Sequence, residues 1–247
     1  MTDLRAVMHV HSEWSYDGRW QLEDIARLYA RFGVRAVLMT EHDTGFDPQR
    51  FFRYRAACKT ASTARCTLIP GIEYSSPDND VHILTWGLDV FLGEYRPVIE
   101  TLMAVRKAGG VAVFAHPVRR DAWKRFDSDW IELLTGIEVW NRKSDGIAPG
   151  HQAAGLIAST RMAATVGQDF HTLRQLYPLT MCLDTGEKAT PTQADIVEAI
   201  RAGRMTPLAF GRPIYDPRGN LLRRPHDALE RSRVGLRDLR DLIYWRH

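Results

Sequence analysis

Long apolar runs are missing from this chain of 247 residues: nothing in it approaches the ~20 consecutive residues that a bilayer-spanning helix needs. Met1-Thr2-Asp3-Leu4-Arg5 leads straight into a strand without the apolar core of a signal peptide, so a soluble, cytoplasmic protein with no membrane partner is expected. Cysteine is scarce. Cys58, Cys66 and Cys182 are odd in number and show no CxxC spacing, which argues against a disulfide framework or a thiolate zinc knuckle and leaves nitrogen and oxygen to hold any metal. An excess of one charge is also lacking. The formal net charge of +3 is too small to imply a nucleic-acid coat, so nucleic acid is not the favoured partner, yet it would not repel a phosphorylated substrate. There is no GxSxG elbow, no cysteine near a motif, no fixed-period repeat and no Pro/Gly/Ser-rich linker to split the chain.

What is present is 45% hydrophobic sequence, enough for a sizeable core, arranged as strands alternating with helices. The strands are expected at 6–11, 34–40, 67–73, 81–88, 111–117, 136–141 and 162–167, with a turn at Ser75 to Asp80. Helices are expected at 21–32, 48–64, 94–107, 131–134, 152–159 and 192–202. This alternation calls for a largely parallel sheet. A doubly wound sheet gathers its ligands mostly at one switch point, whereas here nearly every strand ends in a polar candidate, so a (β/α) barrel is favoured. The chain divides into a barrel over 1–215 and a basic helical extension over 216–247, read as a helix docked on the same domain with a solvated Arg-rich face.

Six of the nine histidines, His9, His11, His42, His82, His116 and His171, stand at strand ends or in the following turn. His9 and His11 close an apolar strand, where period-two alternation sends both side chains to one face, an arrangement suited to a shared metal. Three carboxylates hold the same topological position: Asp17, Glu73 and Asp169. So much imidazole with so few charges makes a poor calcium or magnesium cage and a good site for zinc, manganese or iron. These candidates are too many for one ion. Taken singly, His82 and His116 read as core histidines and Asp17 as a turn residue; their order along the chain is what turns them into a set.

The runs His9-Val10-His11, Ser15-Tyr16-Asp17-Gly18, Thr40-Glu41-His42-Asp43, Pro70-Gly71-Ile72-Glu73, Val81-His82-Ile83-Leu84, Phe114-Ala115-His116-Pro117, Ile137-Glu138-Val139-Trp140-Asn141 and Gly167-Gln168-Asp169-Phe170-His171 follow one another over roughly the first 170 residues. In these the chain resembles the PHP superfamily of metal-dependent phosphoesterases, named for polymerase and histidinol phosphatase. The resemblance implies a distorted seven-stranded (β/α) barrel of TIM-like form with two or three divalent ions at the C-terminal mouth of its strands. It implies His9, His11, Glu73 and Asp169 around one ion, Asp17, His42 and His171 around a second, and Glu73, His82 and His116 around a third, with Glu73 bridging. It also implies hydrolysis of a phosphate ester, which the chemistry supports independently: paired ions lower the pKa of a bridging water and stabilise the attacking and leaving oxygens. Asp17, His171 or a metal-bound water is expected to protonate the leaving group.

Phosphate recognition is expected from Arg119 and Arg142 first, then Arg19, Arg120 and Lys143, because guanidinium forks match phosphate oxygens. Asn141 and Glu138 end a strand at the mouth and are candidates for contacting substrate or orienting ligands, a structural role being an equal reading; Glu41 and Asp43 flank a ligand and read as orienters. Trp14 and Tyr16 read as rim packing before base stacking. The short connection between His82 and His116 leaves no room for the helical insertion of the family's nucleotide-directed members, nor does the chain carry the additions of its polymerase-associated forms. The leading reading is therefore a phosphoesterase acting on a small phosphorylated metabolite or nucleotide. The alternatives are a metal-dependent amidohydrolase, disfavoured by the lack of a strand lysine for carbamylation, and a non-catalytic module whose functional surface is the C-terminus.

Overall fold

The run from Leu4 to Val10 is buried except at Arg5, which a strand sustains only where both of its faces are covered. A computed structural model describes residues 3–186, 188, 190–222 and 224–244. In chain order its elements open with β1 (Asp3–Val10), α1 (Leu22–Arg31), β2 (Ala36–Met39), β3 (Glu41–His42), α2 (Pro48–Ala61), β4 (Thr67–Ile69) and β5 (Gly71–Ser75). There follow β6 (His82–Trp86), α3 (Val98–Lys107), β7 (Val111–Phe114), β8 (Gly136–Asn141), α4 (His151–Thr160) and β9 (Ala164–Gly167). The last are β10 (Leu179–Asp184), α5 (Gln193–Arg201), β11 (Met205–Ala209), β12 (Arg212–Pro213) and α6 (Arg224–Tyr244).

The architecture is mixed α/β with two six-stranded sheets, ordered β12-β11-β10-β1-β2-β4 and β3-β5-β6-β7-β8-β9. Only Thr40 separates β2 from β3 and only Pro70 separates β4 from β5, so two continuous stretches of chain pass from one sheet into the other. Pro70 has no N–H to give a ladder, which suits it to that break. On the far side Val10 bridges Phe170 in parallel, with Phe170 N–H donating to His9 O at 3.1 Å and His11 N–H to Phe170 O at 3.0 Å.

The pairs β1·β2, β2·β4, β3·β5, β7·β8 and β8·β9 are parallel, as the strand–helix alternation predicts. β6 departs from this and is antiparallel to both β5 and β7. The connection from Ser75 to His82 is too short for a crossover helix and can only turn the chain back. β10, β11 and β12 form an antiparallel extension that sequence periodicity does not reveal. The helix expected at 131–134 does not form: residues 131–133 are a turn that follows 3₁₀ segments at Arg119–Arg125, interrupted by left-handed Arg120 and Asp121, and at Ser128–Trp130.

α1 buries Leu22, Ile25, Ala26 and Tyr29 along one stripe and carries Glu23 and Asp24 in its first turn, where the helix dipole favours them. α2 starts at Pro48 with the Asp47 carboxylate capping Arg50 N–H at 2.6 Å. α6 covers most of the helical extension expected within 216–247; residues 245–247 lie outside the described residues. No helix among the described residues is long and apolar enough to cross a membrane.

Gly71 sits where the chain changes sheets. A Cβ there would lie 2.3 Å from Thr85 O and 2.5 Å from Met39 O, backbone atoms on two neighbouring strands. Gly71→Ala is expected to lower unfolding stability by about 2 kcal/mol or more in urea melts. Gly155→Ala, on open surface in the middle of α4, should raise it by about 0.5–1 kcal/mol.

Candidate metal centre

Glu73, expected to end a strand, is instead buried in the middle of β5 and is the centre of the cluster. Its Oε2 lies 3.4 Å from His9 Nε2, 3.3 Å from His11 Nε2 and 3.2 Å from His42 Nδ1, while Oε1 lies 2.6 Å from His82 Nδ1 and 2.9 Å from His116 Nε2. Burial alone would push this carboxyl up. The surrounding imidazoles, His82, His9 and His42 foremost, reverse that and hold it well below the usual range. All nine sequence-derived candidates converge here. Asp169 Oδ1 is 3.5 Å from His11 Nε2, and Asp17 lies 2.9 Å from His171 Nε2 and 3.4 Å from His42 Nε2. Burial raises Asp17, but His171 and His42 outweigh it and hold the carboxyl far down.

The manner of convergence differs from simple alternation. His9 occupies a bulge between Met8 and Val10, at φ 63°, so the extra residue and not the strand's period aims it inward. His116 and Asp169 are also left-handed, at φ 26° and 50°. Three non-glycine residues in that region at one site store roughly 1–3 kcal/mol of strain each. His82 is the first residue of β6, not the end of a strand; because β6 runs antiparallel, its start lies at the mouth where the parallel strands end.

Three groups of ligand atoms come within 4.8 Å of one another among the described residues: His11, Asp17, His42 and His171; His9, Glu73 and His116; His9, His11 and Asp169. They differ from the expected sets in four ways. His11 joins the second set as well as the first, His9 joins the third, and Glu73 falls outside the first. His82 stands outside, its Nε2 engaged by Asn79 Oδ1 at 2.6 Å and by Arg119 Nη1 at 3.3 Å, while burial holds its pKa down to about 4.

Two buried glutamates set the imidazoles. Glu138 Oε1 accepts from His9 Nδ1 at 2.9 Å, leaving Nε2 to face the cluster, and Oε2 accepts from His116 N–H at 2.8 Å and Asn141 Nδ2 at 3.1 Å. A Cβ on Gly167 would sit 1.8 Å from that carboxylate, so this position admits no side chain. Glu41 accepts from the hydroxyls of Ser12 and Ser15, both at 2.6 Å; Ser15 Oγ in turn accepts from His42 N–H at 3.0 Å and from His11 Nδ1 at 3.2 Å. Imidazole ligands are commonly oriented this way through the nitrogen away from the metal. Asp43 ties the rim by accepting from the Ser75 and Tyr95 amides.

The residues fit divalent cations. His9 Nε2, His11 Nε2, Asp17 Oδ1, Glu73 Oε2 and His116 Nδ1 are buried side-chain atoms without a hydrogen-bond partner among the described residues, which proteins seldom tolerate unless something else satisfies them. All are nitrogen or carboxylate oxygen donors, suited to zinc, manganese or iron.

The expected anion-binding residues divide. Arg119 lines the cavity of about 80 Å³ over the cluster, together with Tyr16, Asn79, Tyr95 and Lys143. Arg142 turns away, its guanidinium 5.2 Å from the Tyr177 ring centre. Arg19 is exposed and lies outside the cavity lining. Asn141 does two things: its Oδ1 accepts from the Lys143 and Ser144 amides at 3.0 Å and shapes the turn, while its Nδ2 donates to Glu138 behind His9. Arg120 is exposed beside Asp80 at 3.5 Å. Lys143, ranked behind Arg142 from sequence, is the neighbour that enters, with Nζ 3.3 Å from Asp169 Oδ1 and 3.4 Å from His171 Nε2. Nothing in the local pattern separates the two; which side of the turn faces the mouth is set by the fold. Tyr16 stacks on His42 at 5.0 Å and is 72% exposed, a rim position.

Burial opposes a proton on His9, but Glu138, Asp169 and Glu73 together raise its pKa well above the ordinary 6.5. It is therefore protonated near neutrality in the metal-free site, and a cation must displace that proton. Zinc added to the metal-free protein at pH 7 in weak buffer is expected to release protons, with affinity rising as pH climbs through the His9 value. An indicator-dye titration reads this; no release, or affinity independent of pH, contradicts it. Glu138→Ala should weaken metal binding about 10- to 100-fold in a chelator competition.

Three solved structures share the fold. A two-domain protein from Bacteroides vulgatus containing a predicted PHP-like metal-dependent phosphoesterase aligns at TM-score 0.64 and 19% identity, over 84% of this chain and 65% of that one. The present chain thus spans about two thirds of the Bacteroides protein's length. PsfC from Pseudomonas syringae aligns at TM-score 0.61 and 14% identity, over 85% and 92%. An amidohydrolase from Chromobacterium violaceum, with bound sulfate and no metal, aligns at TM-score 0.51 and 17% identity, over 67% and 87%. No curated protein matches the sequence. The model of the PHP domain matches residues 8–180, a span that holds every candidate ligand, and the chain belongs to the PHP domain family.

Proposed function

We propose that this protein hydrolyses a small phosphate ester, a phosphorylated metabolite or nucleotide, at two or three divalent ions held by His9, His11, Asp17, His42, Glu73, His82, His116, Asp169 and His171. The observation that carries the reading is the convergence of unpartnered ring nitrogens and carboxylate oxygens under a cavity whose walls bear Arg119 and Lys143. Zinc, manganese or iron, when held by these residues, would make a water nucleophilic near neutral pH and offset charge on the phosphorus-bound oxygens. For His82 to join, its imidazole must give up its contact with Asn79. The seven strand positions β1, β2/β3, β4/β5, β6, β7, β8 and β9 are read as a distorted barrel, which the sheet-to-sheet passages at Thr40 and Pro70 and the Val10–Phe170 bridge support. The segment from 216 onward is read as part of the same domain, in keeping with the hydrogen bond between Ile147 and Glu230 of α6.

Within that site the chain's own groups divide the work. Arg119 and the Lys143 ammonium bind phosphate oxygens, the first from the His82 side and the second from the side of Asp169 and His171. Asp17, held ionised by His171 and His42, accepts and orients protons and is a poor donor at neutral pH. His171 commits its Nδ1–H to the Asp169 carbonyl at 2.9 Å, which leaves Nε2 facing Asp17. The cavity of about 80 Å³ is small and lined by polar groups, which suits a phosphoryl group with the remainder of the substrate outside.

A second reading, attack at an amide carbon, draws on the amidohydrolase likeness. The lysine lining the present cavity is half-exposed on a loop and not on a strand, which supports phosphorus as the target over an amide carbon. The test is a panel of phosphometabolites and generic aryl phosphates with manganese, zinc and iron in turn. Metal-dependent turnover that His42→Ala lowers by more than about 100-fold is expected, the loss reached when even an outer partner of a metal ligand is removed. Bound metal with hydrolysis of amides alone, or with no hydrolysis at all, would overturn the reading.

A further inference from the structure

The loop that follows β8 has two sides. One delivers Lys143 to the cavity, where Nζ reaches Asp169 and His171. The other meets α6. Ile147 N–H donates to Glu230 Oε2 at 3.0 Å, and Arg233 holds the same carboxylate through Nε at 2.9 Å. The approach is close: Gly146, at φ 78°, would carry a Cβ only 2.7 Å from Glu230 Oε1. One turn earlier in α6, His226 packs edge-on against the buried Trp140 ring at 4.9 Å, and Trp140 Nε1–H donates to Gly146 O at 3.2 Å. Between the two sides the turn is stiff, because Asn141 Oδ1 accepts both the Lys143 and Ser144 amides and Asn141 N–H donates to Asp145. Displacement of the loop at Ile147 is therefore passed on to Lys143.

We propose that Glu230 is a positioning residue for Lys143: α6 clamps the loop through the Ile147 amide, and that clamp sets the affinity of the site for phosphate. The role of Lys143 rests on the phosphoesterase reading, whereas the clamp itself is a mechanical claim that can be read without turnover. Glu230→Gln keeps an oxygen acceptor for Ile147; Glu230→Ala removes it.

The test uses the full chain as wild type, Glu230→Ala, Glu230→Gln, Lys143→Ala and the double variant Glu230→Ala/Lys143→Ala. Acylation of lysines by an activated ester, followed site by site by mass spectrometry, reads the placement of Lys143, with exposed Lys59 and Lys107 as internal controls. Glu230→Ala should speed labelling of Lys143 severalfold and leave the controls unchanged, with Glu230→Gln near wild type. On the best phosphate ester found, Glu230→Ala should raise KM about tenfold, the loss that goes with one hydrogen bond to a charged group, with kcat changed far less. In the Lys143→Ala background it should raise KM no further. Unchanged Lys143 labelling in Glu230→Ala, or an equal KM increase with and without Lys143, would overturn the proposal. A wild type that turns over no phosphate ester sinks the phosphoesterase reading, and the labelling then decides the clamp.

Discussion

A single ionised carboxylate, Glu73, buried to 1% exposure and approached by five imidazoles within 3.4 Å, is the constraint around which the fold is arranged. Charge in a dry interior is costly unless it is paired and hydrogen-bonded, and Glu73 is surrounded by groups able to carry protons or share a cation. Those groups come from β1, β3, β6 and the end of β7, so the sheets must bring distant parts of the chain to one point. The bulge at His9 and the left-handed backbone at His116 and Asp169 follow from that demand. Such strain persists only where packing over-determines it, as the full burial of Phe114, Ala115 and Phe170 around these residues does.

Behind the imidazoles, Glu138 and the Glu41–Ser15 pair convert backbone placement into chemical identity. Each takes the Nδ1–H of one histidine, His9 and His11 respectively, and leaves both Nε2 atoms facing inward. The fold makes room for these carboxylates at some cost to itself, since Gly167 is where a side chain would collide with Glu138. Metal affinity in such a centre depends on residues that touch no metal. The same economy extends to the rim, where Asn141 and α6 shape the loop that presents Lys143.

Much of this was legible in the sequence because histidine and carboxylate at strand ends are chemically conspicuous. The nine ligand candidates, the α1 stripe and the parallel pairs around β1 and β8 were all readable from residue type and period. What was hidden depends on three-dimensional direction. β6 reads like any other apolar run, and only the short turn after Ser75 hints that it runs backwards. β10 to β12 mix buried and open positions with no clean alternation, and so gave no signal. Arg142 and Lys143 are adjacent in sequence yet face opposite ways, one to Tyr177 and the other to Asp169; no propensity distinguishes them. His82 reads as a ligand only through its place in the ordered set, and its engagement with Asn79 and Arg119 is a contact that the sequence does not show.

The central claim is that Glu73 joins the ions of one shared cluster. Anomalous diffraction from crystals of the protein soaked with zinc or manganese addresses it most directly. The account predicts at least two peaks flanking the Glu73 carboxylate, with His9 and His11 Nε2 about 2.1 Å from one of them. Peaks confined to surface histidines and carboxylates, with the pocket around Glu73 holding none, would contradict it.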